Sequence, residues 1–271
     1  MPELPEVETT RRGIEPLIMG RRVEAVVVRQ PMLRWPIPED LSKALPGQRI
    51  RACRRRAKYL LLEADKGTLI AHLGMSGSFA MAPAGRPPGK HDHVDLCFED
   101  GTILRFRDPR RFGALLWTTE PTESHPLLKK LGVEPLGEDF NGALLHAAAR
   151  TRTGPVKLMI MNASVVVGVG NIYACESLFR AGIHPRRPAR RVGARRYERL
   201  ADEIRKVLGE AIAQGGTTLR DFVDSSGQPG YFAQDLAVYG RAGDPCPRCG
   251  EPVRREVISQ RSTFYCIACQ T

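Results

Sequence analysis

Four cysteines near the C-terminus carry the sharpest chemical signal in the sequence. Cys246-Pro-Arg-Cys249 and Cys266-Ile-Ala-Cys269 form two C-x2-C pairs separated by sixteen residues. Thiolates at this spacing can close a tetrahedral site on one structural Zn2+ across a β-hairpin, and neither pair sits in the βαβ setting of a redox dithiol. The chain has seven Cys. An odd number, in a compartment expected to be reducing, argues against a disulfide framework. Cys53, Cys97 and Cys175 remain as ordinary buried thiols. Arg254, Arg255 and Arg261 lie between the two pairs and would make the ribbon a phosphate-facing finger.

The other end of the chain, "MPELPEVE", offers a different chemistry. Removal of Met1 ahead of the small residue Pro2 would expose a secondary amine with a basicity near that of an α-amino group, about 7.7–8.0. Such an amine can attack an aldehyde-level carbon and form an iminium ion, an electron sink for elimination. Glu3 beside it could move protons. If Met1 stayed attached, Pro2 would be an amide without a nucleophilic lone pair. Met-Pro is also a common start with no chemistry, so the dipeptide needs support from elsewhere.

Support comes from charge and from three clusters. The composition holds 41 Lys+Arg against 30 Asp+Glu, a net charge of +11, with Arg in excess of Lys. That is the balance of a protein that meets a polyanion, and Arg forks onto phosphate and base edges. Arg54, Arg55, Arg56 and Lys58 lead into an apolar strand pattern. Arg110 and Arg111 stand beside Phe112 in "DPRRFG", and Met75 lies between glycines in "HLGMSG". Taken singly, each is more often a solvated charge run or a core filler. Together, an Arg beside an aromatic on a turn and an unbranched Met could enter a stacked duplex and fill the gap left by a displaced base. "VVVGVGNIY" fails the dinucleotide fingerprint, since Tyr173 stands where Gly or Ala is required. It fits a tight turn before a helix whose N-terminal N–H groups, with Asn171, hold a phosphate.

The elements that must carry these residues fall into two blocks. A helix is predicted over residues 5–19, with Pro5 in its first turn and Pro16 obscuring its end. From about 21 to 118, short apolar runs ("VEAVVV", "KYLLLEA", "TLIAHLG", "HVDLCF", "TILRFR") alternate with turn signals at Asp65-Lys66-Gly67 and Asp100-Gly101, as in an antiparallel β-sandwich or barrel. From near 130 the period becomes helical, in "HPLLKKLG", "FNGALLHAAAR", "NIYACESLFRAG" and "ARRYERLADEIRKVLGEAIAQGG". Gly215–Gly240 reads as a long functional loop. No run approaches the roughly 20 apolar residues of a membrane span, and no signal peptide is evident, so a cytoplasmic protein is expected. A monomer is expected too.

These stretches, with "PELPEVETTRRGIEP", "RRAKYLLLE", "KHDHVDL", "QGGTTLRDF" and "GYFAQDLAVYGR", resemble the bacterial formamidopyrimidine-DNA glycosylases in order along nearly the whole chain. The resemblance implies an α+β multidomain protein. Its parts would be a catalytic β-sandwich with an N-terminal helix over 2–120, a helical helix-two-turn-helix domain over 130–225 and a zinc ribbon over 237–271. Damaged double-stranded DNA would lie in the cleft between domains. It further implies that Pro2 is the Schiff-base nucleophile at the deoxyribose C1′ and Glu3 the proton donor. Lys58 would assist β-elimination, and Arg261 would contact phosphate and assist δ-elimination. Met75, Arg110 and Phe112 would fill the void and probe the opposite base, while His91, Arg152 and Asn171 would contact the DNA backbone. Thr217–Tyr239 would close over the extruded base. The implied substrates are oxidised purines, 8-oxoguanine opposite cytosine and formamidopyrimidines, rather than the oxidised pyrimidines of the endonuclease VIII-like sister group. The chain departs from the family pattern at Leu158-Met159, Asn162 and Cys175, and keeps Glu176. The competing expectations are a damage-binding module without chemistry and a tautomerase-like use of the N-terminal proline.

Overall fold

The computed structural model describes residues 2–83, 85–216 and 236–271. The chain divides into one unit of residues 1–129 and 214–231 and a second of 130–213 and 232–271.

The first unit begins with helix α1 (Leu4–Ile18), which starts one residue earlier than predicted. Glu3 is its N-cap in a reciprocal capping box with Glu6, whose Oε2 accepts the Glu3 N–H at 2.7 Å. This satisfies two of the donors a helix start leaves open. Pro16 does not end the helix, because the Met19 N–H still reaches the Glu15 carbonyl. Strands β1 (Val23–Val28), β2 (Ile50–Arg56), β3 (Tyr59–Ala64), β4 (Gly67–His72), β5 (Ser78–Ala82), β6 (Asp92–Phe98), β7 (Ile103–Arg107) and β8 (Ala114–Thr118) follow, with a short helix α2 (Glu39–Ala44) after β1. They form two antiparallel four-stranded sheets of order β1-β6-β7-β5 and β2-β3-β4-β8. Alternate residues such as Leu60 and Leu62 of β3, Leu96 and Phe98 of β6, and Leu104 and Phe106 of β7 share one core with Val7, Ile14 and Ile18 of α1. The period-2 pattern therefore buries one face of each sheet, which is the sandwich the sequence predicts.

The second unit is mainly helical: α3 (Gly142–Ala149), α4 (Val156–Ile160), α5 (Asn171–Ala181) and α6 (Ala194–Ala213). Asn141 caps α3 by accepting the Leu144 N–H at 2.9 Å. Along α6, Tyr197, Leu200, Ala201, Ile204, Val207, Leu208 and Ala211 recur at helical spacing and are buried, so this helix follows its amphipathic pattern. "HPLLKKLG" departs from the prediction. Between Pro126 and Gly132 it has room for one turn only, closed by the Lys129 N–H on the His125 carbonyl. Strands β9 (Arg254–Ile258) and β10 (Arg261–Tyr265) form the C-terminal hairpin. No helix among the described residues is long and apolar enough to cross a membrane. The loop predicted over Gly215–Gly240 falls largely outside the described residues.

Candidate active site and metal centre

Strand register gathers the first group of candidate residues. In the sheet β2-β3-β4-β8, the row Arg56, Tyr59, His72, Ala114 is paired across all four strands and ends the sheet. In the other sheet the row Asp92, Arg107, Ser78 plays the same part for β6, β7 and β5. The Ala57-Lys58 turn, the loop 73–77 after β4 and the loop 108–113 between β7 and β8 all leave from these rows. So does His91, just ahead of β6. One end of the sandwich thus presents Lys58, Met75, His91, Arg110 and Phe112.

Met75, Arg110 and Phe112 are exposed at that end, and the Arg110 guanidinium lies 5.2 Å from the centre of the Phe112 ring. A cavity of about 400 Å³ opens beside the 108–113 loop, lined by Pro109 and Arg111 of that loop together with Arg29, Lys90, His91 and Asp92. Pro2 is buried, as is the Glu3 side chain at the head of α1, and α1 packs on β2 and β3, the strands that the Lys58 turn joins. Ala57 takes a left-handed backbone (φ 55°) to make that turn.

His72 is a site residue that sequence reasoning does not single out. Burial, reinforced by the Lys58 and Arg34 charges, pushes its pKa down to about 4. Its Nδ1 accepts the Gly74 N–H at 2.9 Å, which places the proton of the neutral ring on Nε2. The available signal is a histidine ending an apolar strand directly before "LGMSG".

Part of the basic cluster on β2 points elsewhere. Arg55 is turned inward and pairs with Glu8 at 3.2 Å, while Arg54 pairs with Glu63 at 3.2 Å. Glu8 also binds Arg11 and Arg12, and despite burial these cations hold its carboxyl below the ordinary range. Arg55 therefore belongs to a buried ion network, not to a phosphate-binding face. Cys53 is buried and its thiol is pushed up to about 12 by burial, as expected of an inert cysteine, whereas Cys97 is only half-buried.

In the second unit, Asn171 is the first residue of α5 and Arg261 the first of β10. Ser259 and Gln260 both have positive φ (48° and 60°), forming the tight two-residue turn that delivers Arg261. The Asn171 side chain is committed internally: Nδ2 donates to the Ser262 carbonyl at 2.8 Å, and Oδ1 accepts from Lys157 Nζ at 2.6 Å. Lys157, fully buried, also donates to Thr263 Oγ1 at 2.6 Å. It too escapes the sequence reading; the signal is one lysine inside the apolar run "VKLMIM". Arg152 is half-buried between α3 and α4, its N–H on the Ala149 carbonyl. At the other end of α5, Arg248 of the first cysteine pair donates to the Phe179 and Arg180 carbonyls at 3.0 and 3.1 Å and stacks on Phe179. The ribbon thus holds α5 at both ends.

The four predicted ligands, Cys246, Cys249, Cys266 and Cys269, have sulfurs within 4.8 Å of one another, with pairs at 3.9 and 3.5 Å. A zinc tetrahedron with bonds of about 2.3 Å has edges of about 3.8 Å, so the set fits one Zn2+. Burial raises the Cys246 thiol, but N–H groups of Arg248 and Cys249 outweigh it and lower the pKa, whereas burial and the neighbouring thiols raise Cys269.

Comparison with known proteins agrees across the whole chain. Residues 1–115 match the profile of the formamidopyrimidine-DNA glycosylase N-terminal domain, residues 131–223 that of its H2TH domain, and residues 243–271 the zinc finger found in FPG and IleRS. The formamidopyrimidine-DNA glycosylases of Alkalilimnicola ehrlichii and Methylococcus capsulatus are each 61% identical, with both chains covered in full. Among solved structures, the MutM (Fpg) protein of Thermus thermophilus superimposes with a TM-score of 0.89 at 41% identity, covering 99% of this chain and 98% of that one. The Lactococcus lactis Fpg in complex with DNA containing an abasic site gives 0.91 at 35%, covering 99% of each. With its sandwich, helix-two-turn-helix domain and four-cysteine zinc ribbon, the chain belongs to the formamidopyrimidine-DNA glycosylase family.

Proposed function

We propose that the protein is a bifunctional DNA glycosylase and abasic-site lyase of base excision repair, acting on oxidised purines in duplex DNA. The observation that carries this reading is the assembly at one end of the sandwich. A buried N-terminal proline heads a helix lying on the Lys58 hairpin, and Met75, Arg110 and Phe112 stand exposed on the neighbouring loops.

With Met1 removed, the Pro2 nitrogen is a secondary amine and carries a nucleophilic lone pair in its neutral form. The nitrogen attacks C1′ of the damaged nucleotide as the bond from C1′ to the base breaks and the base leaves protonated. Glu3, fixed by its capping box, delivers a proton to the ring oxygen as the C1′–O4′ bond opens. As the Pro2 N–H proton passes to the departing base, the nitrogen lone pair expels O4′, and the resulting iminium of a secondary amine is cationic with no N–H left to lose. Loss of a C2′ proton expels the 3′ phosphate, and loss of a C4′ proton expels the 5′ phosphate. Lys58 and Arg261 would stabilise the departing phosphates, with His91, Arg152 and the Asn171 end of helix α5 on the DNA backbone. Met75 would occupy the place of the extruded base, while Arg110 and Phe112 face the opposite strand. Cys246, Cys249, Cys266 and Cys269 would hold a structural Zn2+ that keeps the hairpin carrying Arg261 in shape.

The test is Pro2→Gly, assayed on a duplex with one 8-oxoguanine opposite cytosine. The variant is expected to lose strand cleavage by at least about 100-fold, the scale of a lost covalent catalyst. Cleavage at the wild-type rate would exclude the iminium route.

A further inference from the structure

The three exposed side chains at the sandwich end sit on two separate loops, 73–77 and 108–113, and one buried carboxylate joins them. Asp108 is fully buried. Its Oδ1 accepts the Ser76 hydroxyl at 2.8 Å and the Arg110 N–H at 3.3 Å, and its Oδ2 accepts the Gly113 N–H at 2.7 Å. Ser76, also buried, accepts the Arg110 N–H at 3.1 Å in turn. The hydroxyl next to Met75 is thus a donor to the carboxylate that shapes the second loop and an acceptor from the backbone of Arg110. The carbonyl of Asp108 is bound by His93 Nε2 at 2.8 Å, which ties the latch to β6.

Backbone packing tightens the same junction. Gly74 has φ +64°, and a Cβ there would fall within 2.5 Å of the Phe112 carbonyl oxygen. A Cβ on Gly113 would lie 2.9 Å from Asp108 Oδ2 and 2.7 Å from the Phe106 ring. The second loop also takes a left-handed turn at Arg111 (φ 56°), whose N–H returns to the Asp108 carbonyl at 3.2 Å. Exposed loop tips ordinarily move independently of one another. Here a charge-assisted hydrogen bond and a contact that only glycine permits hold two tips together.

We infer that Asp108, acting through Ser76, is a positioning residue that makes the Met75 loop and the Arg110/Phe112 loop a single preformed wedge. Opposite-base discrimination would then depend on the buried latch as well as on the three side chains that touch DNA. The inference rests on the void-filling role proposed above for those side chains. Preorganisation is the physical content: wedge and probe enter together, so the ordering of two loops is not charged against each insertion.

The experiment compares Ser76→Ala and Asp108→Asn with Arg110→Ala and Phe112→Ala. Two readouts apply: the ratio of kcat/KM for 8-oxoguanine opposite cytosine and opposite adenine, and the fluorescence of 2-aminopurine placed beside the lesion, which reports unstacking on insertion. Ser76→Ala removes one hydroxyl and keeps the fold, so it stands even if Asp108→Asn destabilises the protein. The expected result is a loss of about tenfold in the discrimination ratio for Ser76→Ala, the scale of one hydrogen bond to a charged group. A reduced 2-aminopurine signal should accompany it, with unchanged near-UV circular dichroism. If Arg110→Ala and Phe112→Ala lose discrimination while both latch variants keep it and the full fluorescence change, the latch is overturned. If Arg110→Ala and Phe112→Ala also keep discrimination, the void-filling reading fails first and takes the inference with it.

Discussion

Lys58, Met75, His91, Arg110 and Phe112 reach one end of the sandwich because strand register puts their loops there, on a core of interleaved Leu, Val and Phe side chains. Asn171 and Arg261 are held differently: by a two-residue turn, a buried lysine and a set of four thiols whose small apolar cluster includes Val238, Val253 and Phe264. The first arrangement is stabilised by apolar area removed from water. The second is too small for that and needs a metal. The two regions should therefore fail in different ways. The sandwich should be sensitive to crowding and to proton uptake by buried groups, the ribbon to loss of a ligand.

The largest effect belongs to the metal. Cys249 is exposed, so Cys249→Ala removes a ligand with little loss of packing. A zinc site of four thiolates contributes apparent free energy on the order of 10 kcal/mol to the order of its hairpin. The variant is expected to release zinc, measured by a chromogenic chelator, and to lose DNA affinity at least tenfold while the sandwich keeps its near-UV circular dichroism. Unchanged affinity would break the comparison by showing that the hairpin holds without its metal.

Next comes Gly74→Ala. It places a Cβ against the Phe112 backbone and forces a left-handed φ on alanine. A cost of about 3 kcal/mol is expected from urea unfolding, combining overpacking with backbone strain. Zinc content should not change, which separates the two modes of stabilisation.

A smaller effect follows from His72. Its folded pKa of about 4 lies below the ordinary 6.5, so the unfolded chain takes up this proton first as pH falls. Its contribution is fully present above pH 6.5 and is lost as pH drops towards 4, up to about 3 kcal/mol. His72→Gln should flatten the stability profile between pH 6.5 and 4. An unaltered profile would place the acid sensitivity elsewhere.

Much of this organisation can be read from the residues alone. β3, β4, β6 and β7 announce themselves by β-branched and apolar runs ended by Asp-Lys-Gly and Asp-Gly turns, and the cysteine spacing identifies the metal centre outright. β2 is hidden because "IRACRRR" reads as a charge run, and its Arg55 turns inward only because Glu8 of α1, far off in sequence, is there to receive it. The same limit hides the internal commitment of Asn171 to Ser262 and Lys157. Composition and period show what a residue is, and long-range partners decide what it does. Register across two sheets, which brings Lys58, Met75 and His91 to one end, likewise emerges only once the strands are paired.

The proposed chemistry stands on Pro2 as the residue that forms the covalent intermediate. Its most direct test is borohydride trapping on a duplex carrying one 8-oxoguanine opposite cytosine, followed by intact mass and peptide mapping. A reduced DNA adduct on the Pro2 nitrogen, with Met1 absent, is the result expected. An adduct mapped to Lys58 or another amine, or tight binding without any adduct after confirmed removal of Met1, would contradict it.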